Sequence, residues 1–174
     1  MPYRGGLTIS TVERLGKHAV LPDKFNIPET YNGITITVFQ VLGTVYMNEG
    51  NQNPFHKAEE ILNNVKSDIF ICDFHGEATS EKQAFGLYFD GRIHIMYGTH
   101  THVQTNDAHI LPNGSFFVTD AGMTGPLDGV IGVEEQPVIH QYLTGEHIRH
   151  IPKINGRKQF NAVMVEINEK THKV

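Results

Sequence analysis

The chain has 174 residues, a formal net charge of −5, and 39% hydrophobic and 19% charged residues. That balance excludes a disordered or low-complexity chain and suits one domain with a real core. It also argues against nucleic-acid groove binding, which needs a basic face, while a small anionic substrate stays open if a bound cation supplies positive charge.

Residues 1 to about 33 read as irregular, punctuated by Gly5, Gly6, Gly16, Pro22 and Pro28. "ITITVFQVL" (34–42) is rich in β-branched residues and predicts a strand. After the polar loop "NEGNQNPF", the stretch 54–66 predicts a helix. Pro54 is tolerated in its first turn, and Phe55, Ala58, Ile61, Leu62 and Val65 recur at helical spacing. "DIFICDF" (68–74) is a near-continuous apolar run between acids, as in a strand buried on both faces. Its Cys72 is the only cysteine. It reads as a small buried hydrophobe and allows no internal disulfide, which fits a reducing cytoplasm.

"TSEKQAFGLYF" (79–89) predicts a helix opened by a Ser80–Gln83 capping box. "GRIHIMYG" (91–98) predicts a second buried strand, with His94 as a partly buried strand residue. Asp107 and His109 read as turn residues. "GSFFVTDAG" (114–122) predicts a third buried strand, followed by a glycine-rich loop and a short helix near "EEQPVIHQYL". "FNAVMVEINEKTHKV" (160–174) alternates like a terminal strand entering a turn. No apolar run approaches the roughly 18 residues that span a bilayer, and "MPYRGGLTIS" has no signal-peptide core. The expectation is a cytoplasmic protein with no membrane partner, and an α/β architecture with a layered sheet.

The chemistry is expected at the strand ends, where open α/β sheets bind ligands. His75 follows "IFICDF", and His100 and His102 follow "IHIMYG". On an extended backbone residues two apart share a side, so His100 and His102 should aim together with Thr99 and Thr101 turned away. Gly98 permits a sharp strand exit. Three converging neutral imidazoles make a strong metal environment, for zinc, iron, manganese or nickel. Asp73 and Glu77 flank His75 as further ligands or as groups that orient a ring. Asp120 either touches the site or braces the loop "AGMTGP" through backbone amides. No Walker loop and no G-x-S-x-G serine is present.

The phrases "DFHGEATSEKQAFGLYFDGR", "GTHTHVQTNDAHILPNGSFFVTDAGMTGP", "VIG" and "NPFHKAEEIL" closely resemble the YmdB-like branch of the calcineurin-like metallophosphoesterases. The match is dense from about Ile36 to the C-terminus. The resemblance implies a layered α/β/β/α sandwich with two metal ions at the strand ends. It implies hydrolysis of small phosphodiesters such as 2′,3′-cyclic nucleotides by a metal-activated hydroxide. Iron, manganese or zinc would lie about 3.5–4 Å apart and clamp the phosphate. His75, His100 and His102 look like the three C-terminal ligands.

The family's N-terminal G-D-x-x-G, E-N and G-N-H phrases find no match here, and the last of these carries the expected general-acid histidine. Residues 34–174 therefore read as the C-terminal part of such a domain. The fold is expected to be incomplete, with one metal or none held firmly and open sheet edges through which copies could associate. The alternatives are a non-catalytic metal-binding or interaction fragment, or a mononuclear His₃ zinc hydrolase.

Overall fold

The computed structural model describes residues 29–31, 33–47 and 52–174. Its centre is a six-stranded sheet. β1 (Glu29–Tyr31) runs antiparallel to β2 (Ile34–Leu42), and β2 is parallel to β3 (Ile69–His75). β4 (Ile95–Thr99) and β6 (Phe116–Val118) continue the parallel set, and β5 (His109–Ile110) closes the far edge antiparallel. The spatial order is β1-β2-β3-β4-β6-β5. β3 lies inside the sheet and is buried along most of its length, as its unbroken apolar run predicts.

The two crossover helices cover one face. α1 (Pro54–Asn64) starts where Oδ1 of Asn53 accepts from the amides of Phe55 and His56, with Pro54 in the first turn. α2 (Thr79–Tyr88) links β3 to β4. Ala58 and Ile61 of α1 and Phe85 of α2 pack with Phe39, Val41, Phe70, Cys72, Phe74, Met96 and Phe117 from four strands. Both helices share a face because successive parallel crossovers in one direction keep the same hand.

The opposite face has a smaller cluster of Tyr97, Phe116 and Val118, on which Val163, Val165 and Val174 lie. A two-stranded sheet of β7 (Gly125–Pro126) and β8 (Lys158–Gln159) stands apart. α3 (Glu135–Thr144) ends on Gly145, whose φ of 77° gives it a left-handed cap. No helix among the described residues is long and apolar enough to cross a membrane.

Several expectations need correction. The segment read as irregular up to residue 33 contains β1, which pairs antiparallel with β2. Gly33, just ahead of β2, has φ +83°, and Asn-Gly in the sequence is a strong hairpin signal. The remaining N-terminal residues, His18 among them, lie outside the described set. α2 has Ala78, not Ser80, at its N-cap and no side-chain cap. Ser80 sits inside the first turn, too far along to cap it.

β4 begins only at Ile95, because Arg92 and Ile93 turn back to donate to the carbonyl of Phe89. His109 lies in edge strand β5 rather than a turn. Residues 160–167 form no ladder, although their burial alternates as a strand's would. Apolar packing fixes which side chains point inward, and no described strand lies beside the segment to pair its backbone. The turn expected after it is present, organised by Oδ1 of Asn168 accepting from the amides of Lys170 and Thr171.

Candidate functional site

The register brings the chemistry to one level. His75, the last residue of β3, lies opposite Thr99, the last residue of β4, and His100 follows at once. Asp73 is one step back on the same strand face, buried at 3% exposure.

A chain of hydrogen bonds runs outward from Asp73. Its Oδ2 accepts from Nε2 of Gln40 at 2.8 Å and its Oδ1 from Oγ1 of Thr99 at 2.7 Å. The Thr99 hydroxyl, having spent its single proton on Asp73, accepts from Nδ1 of His75 at 3.0 Å. His75 is thereby held as the Nδ1–H tautomer, with the Nε2 lone pair facing outward. Burial, and then the neighbouring His100, hold its imidazole below the usual range, which keeps the ring neutral. Burial pushes the Asp73 carboxyl up to about 6 against the opposing bonds from Thr99 and Gln40.

The second ring meets the first. Nδ1 of His100 lies 3.2 Å from Nε2 of His75, and the ring planes stand at 88°. On its far side, Nε2 of His100 is 3.1 Å from Oε2 of Glu77. A carboxylate only accepts, so Nε2 carries a proton, and the facing nitrogens of the two rings need positive charge between them. A shared proton supplies it, and so does a cation. Two nitrogens bound to a tetrahedral ion at about 2.0–2.1 Å stand roughly 3.3 Å apart. The observed spacing and donor chemistry fit two positions of a divalent ion's ligand set.

His102 does not join that contact. Its Nδ1 donates to the carbonyl of Ile131 at 3.0 Å, which leaves Nε2 as its free lone pair. Among the described residues, no group of three or more His, Cys, Asp or Glu side chains is arranged to hold a metal ion. The structure thus brings His75, His100 and Glu77 together, links Asp73 through Thr99, and sets His102 on the adjoining loop.

The loop departs from the extended backbone expected of it. His100 and His102 have φ of 114° and 66°, and a non-glycine residue in such a region costs about 1–3 kcal/mol unless its surroundings hold it there. Thr99 and Thr101, expected to turn away, are anchors instead. Thr99 holds His75, and Thr101 donates through both its amide and its hydroxyl to Oδ2 of Asp120, at 3.0 and 2.8 Å. Asp120 is fully buried and paired with Nζ of Lys82 at 3.2 Å. Its Oδ1 accepts from the amide of Gly122 at 2.8 Å, so it also braces the glycine loop.

Gly98 lies within β4 rather than at a sharp exit from it. A Cβ there would fall 1.7 Å from the carbonyl oxygen of Thr119, so the glycine permits close approach of two backbones.

Lys82 is a further residue of the site, not among those expected from the sequence. Its signal was present: with Phe85, Gly86 and Phe89 it occupies the apolar stripe of α2, where a charge needs a buried partner. Asp107, read as a turn residue, is a hub that accepts from the hydroxyls of Thr105 and Thr119 and from the amide of Thr119. His94 stands just before β4, with Nδ1 accepting from the amide of Phe70. Cys72 is buried, as expected.

Comparison with known proteins adds the relatives. The sequence model of a family described as YmdB-like protein matches residues 21–174, beginning ahead of the boundary expected at residue 33. A Bacillus subtilis (strain 168) protein named 2′,3′-cyclic-nucleotide 2′-phosphodiesterase is 38% identical over 144 residues, which is 82% of this chain and 54% of the relative. Among solved structures, a hypothetical protein from Thermus thermophilus superposes with a TM-score of 0.71 at 36% identity, over 73% of this chain and 50% of that one. A novel phosphatase from Mycoplasma pneumoniae gives 0.69 at 36% identity, over 72% and 45%. The chain spans about half the length of the curated relatives it matches.

Proposed function

Because the chain belongs to the YmdB-like protein family, we propose that it carries the histidine side of a metal-dependent phosphodiesterase centre. The observation that carries this reading is the pair of facing nitrogens on His75 and His100, 3.2 Å apart at adjacent strand ends. Each ring is fixed on its far side by a group that keeps the facing atom available for a cation. The substrate class is a small phosphodiester of the 2′,3′-cyclic nucleotide kind, after the name of the Bacillus relative.

Bound iron, manganese or zinc would polarise the phosphate and lower the pKa of a water molecule. The chain's own residues do the rest. His75 and His100 hold the cation, and His102 offers its Nε2 from the neighbouring loop. Glu77 orients His100 and contributes negative charge beside it. Asp73 acts through Thr99 to keep the His75 tautomer fixed. The net charge of −5 makes the bound cation the natural attractor of an anionic substrate.

A second reading is a metal-binding fragment without turnover. It is favoured by the lack of a three-ligand group among the described residues.

One experiment separates these readings. The purified chain is titrated with manganese and zinc, then assayed against a bis-aryl phosphate and a 2′,3′-cyclic nucleotide. Turnover that disappears in His100→Ala supports the hydrolase. Metal uptake without turnover supports the fragment. A folded chain that takes up neither metal refutes the ligand assignment.

A further inference from the structure

We propose that Lys82, Asp120 and Thr101 form a clamp that fixes the backbone around His100 and so aims both loop imidazoles, making these three the positioning residues of the centre. The inference rests on the reading of His75, His100 and His102 as metal ligands.

The clamp grips the loop on both sides of His100. Nζ of Lys82 donates to the carbonyl of Thr99 at 2.9 Å, on the residue before it. Asp120 takes the amide and hydroxyl of Thr101, on the residue after it. Between these anchors His100 adopts a left-handed φ, and His102 does so just beyond them. Positive φ is uncommon outside glycine, and although histidine is enriched among the exceptions, these fall mostly at about +60°, well short of the 114° at His100. The amide of Ala121 donates to the carbonyl of Gly98 at 2.8 Å, tying the strand end to the same segment that carries Asp120.

The charges make this a positioning device rather than core filling. Side-chain exposure of Lys82 and Asp120 is 0% and 1%. Burying two ions is costly, and a well-packed apolar pair of similar volume often serves stability as well. An apolar pair could not hold the Thr99 carbonyl or the Thr101 amide. The charges hold backbone that an apolar pair could not: the loop that bears the histidines and, through the amide of Gly122, the glycine loop beside it.

Thr101 is the point at which to test it, because it sits at the surface of the clamp and its variants spare the buried pair. Thr101→Val keeps the shape and removes the hydroxyl, and Thr101→Ser keeps the hydroxyl. Two-bond ¹H–¹⁵N spectra of the metal-free chain read the imidazole tautomers directly. The parent should give His102 as a single Nδ1–H tautomer. Thr101→Val should give mixed tautomers at His100 and His102, and Thr101→Ser should restore the parent pattern. Zinc affinity should fall about tenfold in Thr101→Val and recover in Thr101→Ser, with urea midpoints showing that all three chains are folded.

Parental imidazole spectra in Thr101→Val would overturn the clamp. A parent chain that takes up no zinc while the spectra respond as expected would leave the clamp standing and refute the metal reading instead.

Discussion

His75 and His100 face each other nitrogen to nitrogen, with Asp73 behind one ring, through Thr99, and Glu77 behind the other. The two carboxylates act by different routes. Glu77 touches its histidine, whereas Asp73 reaches His75 only through the hydroxyl of Thr99. Thr99→Val should therefore release the His75 tautomer while leaving every candidate ligand in place. Zinc affinity, followed by competition with a chromophoric chelator, should drop about 10–100-fold. Thr99→Ser should stay near the parent value. Equal affinity in Thr99→Val and the parent would mean that the hydroxyl does not set the ring.

The buried Asp73 gives a pH signature of folding. Its carboxyl is raised from 3.8 to about 6 in the folded chain, so the folded state holds the proton more tightly than the unfolded one. The stability this contributes is fully present below about pH 4 and is lost as pH rises through 6. The shift corresponds to about 3 kcal/mol. Asp73→Asn cannot ionise, and the amide of Gln40 can turn to accept from it. Urea denaturation at pH 4, 5, 6 and 7 should show the parent losing stability relative to Asp73→Asn across that window. Parallel curves for the two proteins would refute an ionising, buried Asp73.

Gly98→Ala should be among the most damaging single substitutions. The new methyl would meet the Thr119 carbonyl at 1.7 Å and the Lys82 stem at 2.9 Å. Backbone cannot yield that far without parting β4 from the strand beside it. A loss of at least about 4 kcal/mol, or no soluble folded protein, is expected from equilibrium unfolding. A midpoint within error of the parent would show that the two segments are not so closely apposed.

Lys82→Met leaves Asp120 buried and unpaired, which should cost about 3–5 kcal/mol. Adding Asp120→Asn removes the orphaned charge, so the double variant should lose less than the sum of the two single variants. Strict additivity in urea unfolding would argue that the two side chains do not interact.

The strands and helices of the sheet's core were legible because each obeys a local period. Ile34–Leu42 shows its β-branched pattern, and Ala58 and Ile61 fall on the stripe that packs. The run around Cys72 marks a strand with cover on both faces. Local pattern misleads where the helix start or the strand partner is decided elsewhere in the fold. Ser80 and Gln83 have capping-box spacing, but the helix starts too early for Ser80 to cap it. Residues 160–167 alternate as a strand would, yet a ladder requires a neighbour that the segment's own sequence cannot supply.

The same division runs through the candidate site. The sequence alone determined that His75 and His100 would leave adjacent strand ends, because two apolar runs stop just short of them and parallel strands carry their ligands at that end. The chain also carried the phrases that tie it to its family. Which ring atoms face one another, and that Thr99 points inward, follow from how the strands and loops pack. The same packing turns His102 to Ile131, and brings a lysine from α2 across to an aspartate 38 positions later to hold the loop. Those choices depend on left-handed backbone at two histidines and on a buried ion pair. Both are unfavourable locally, so no local pattern predicts them, and each persists only because distant segments supply the bonds that offset its cost.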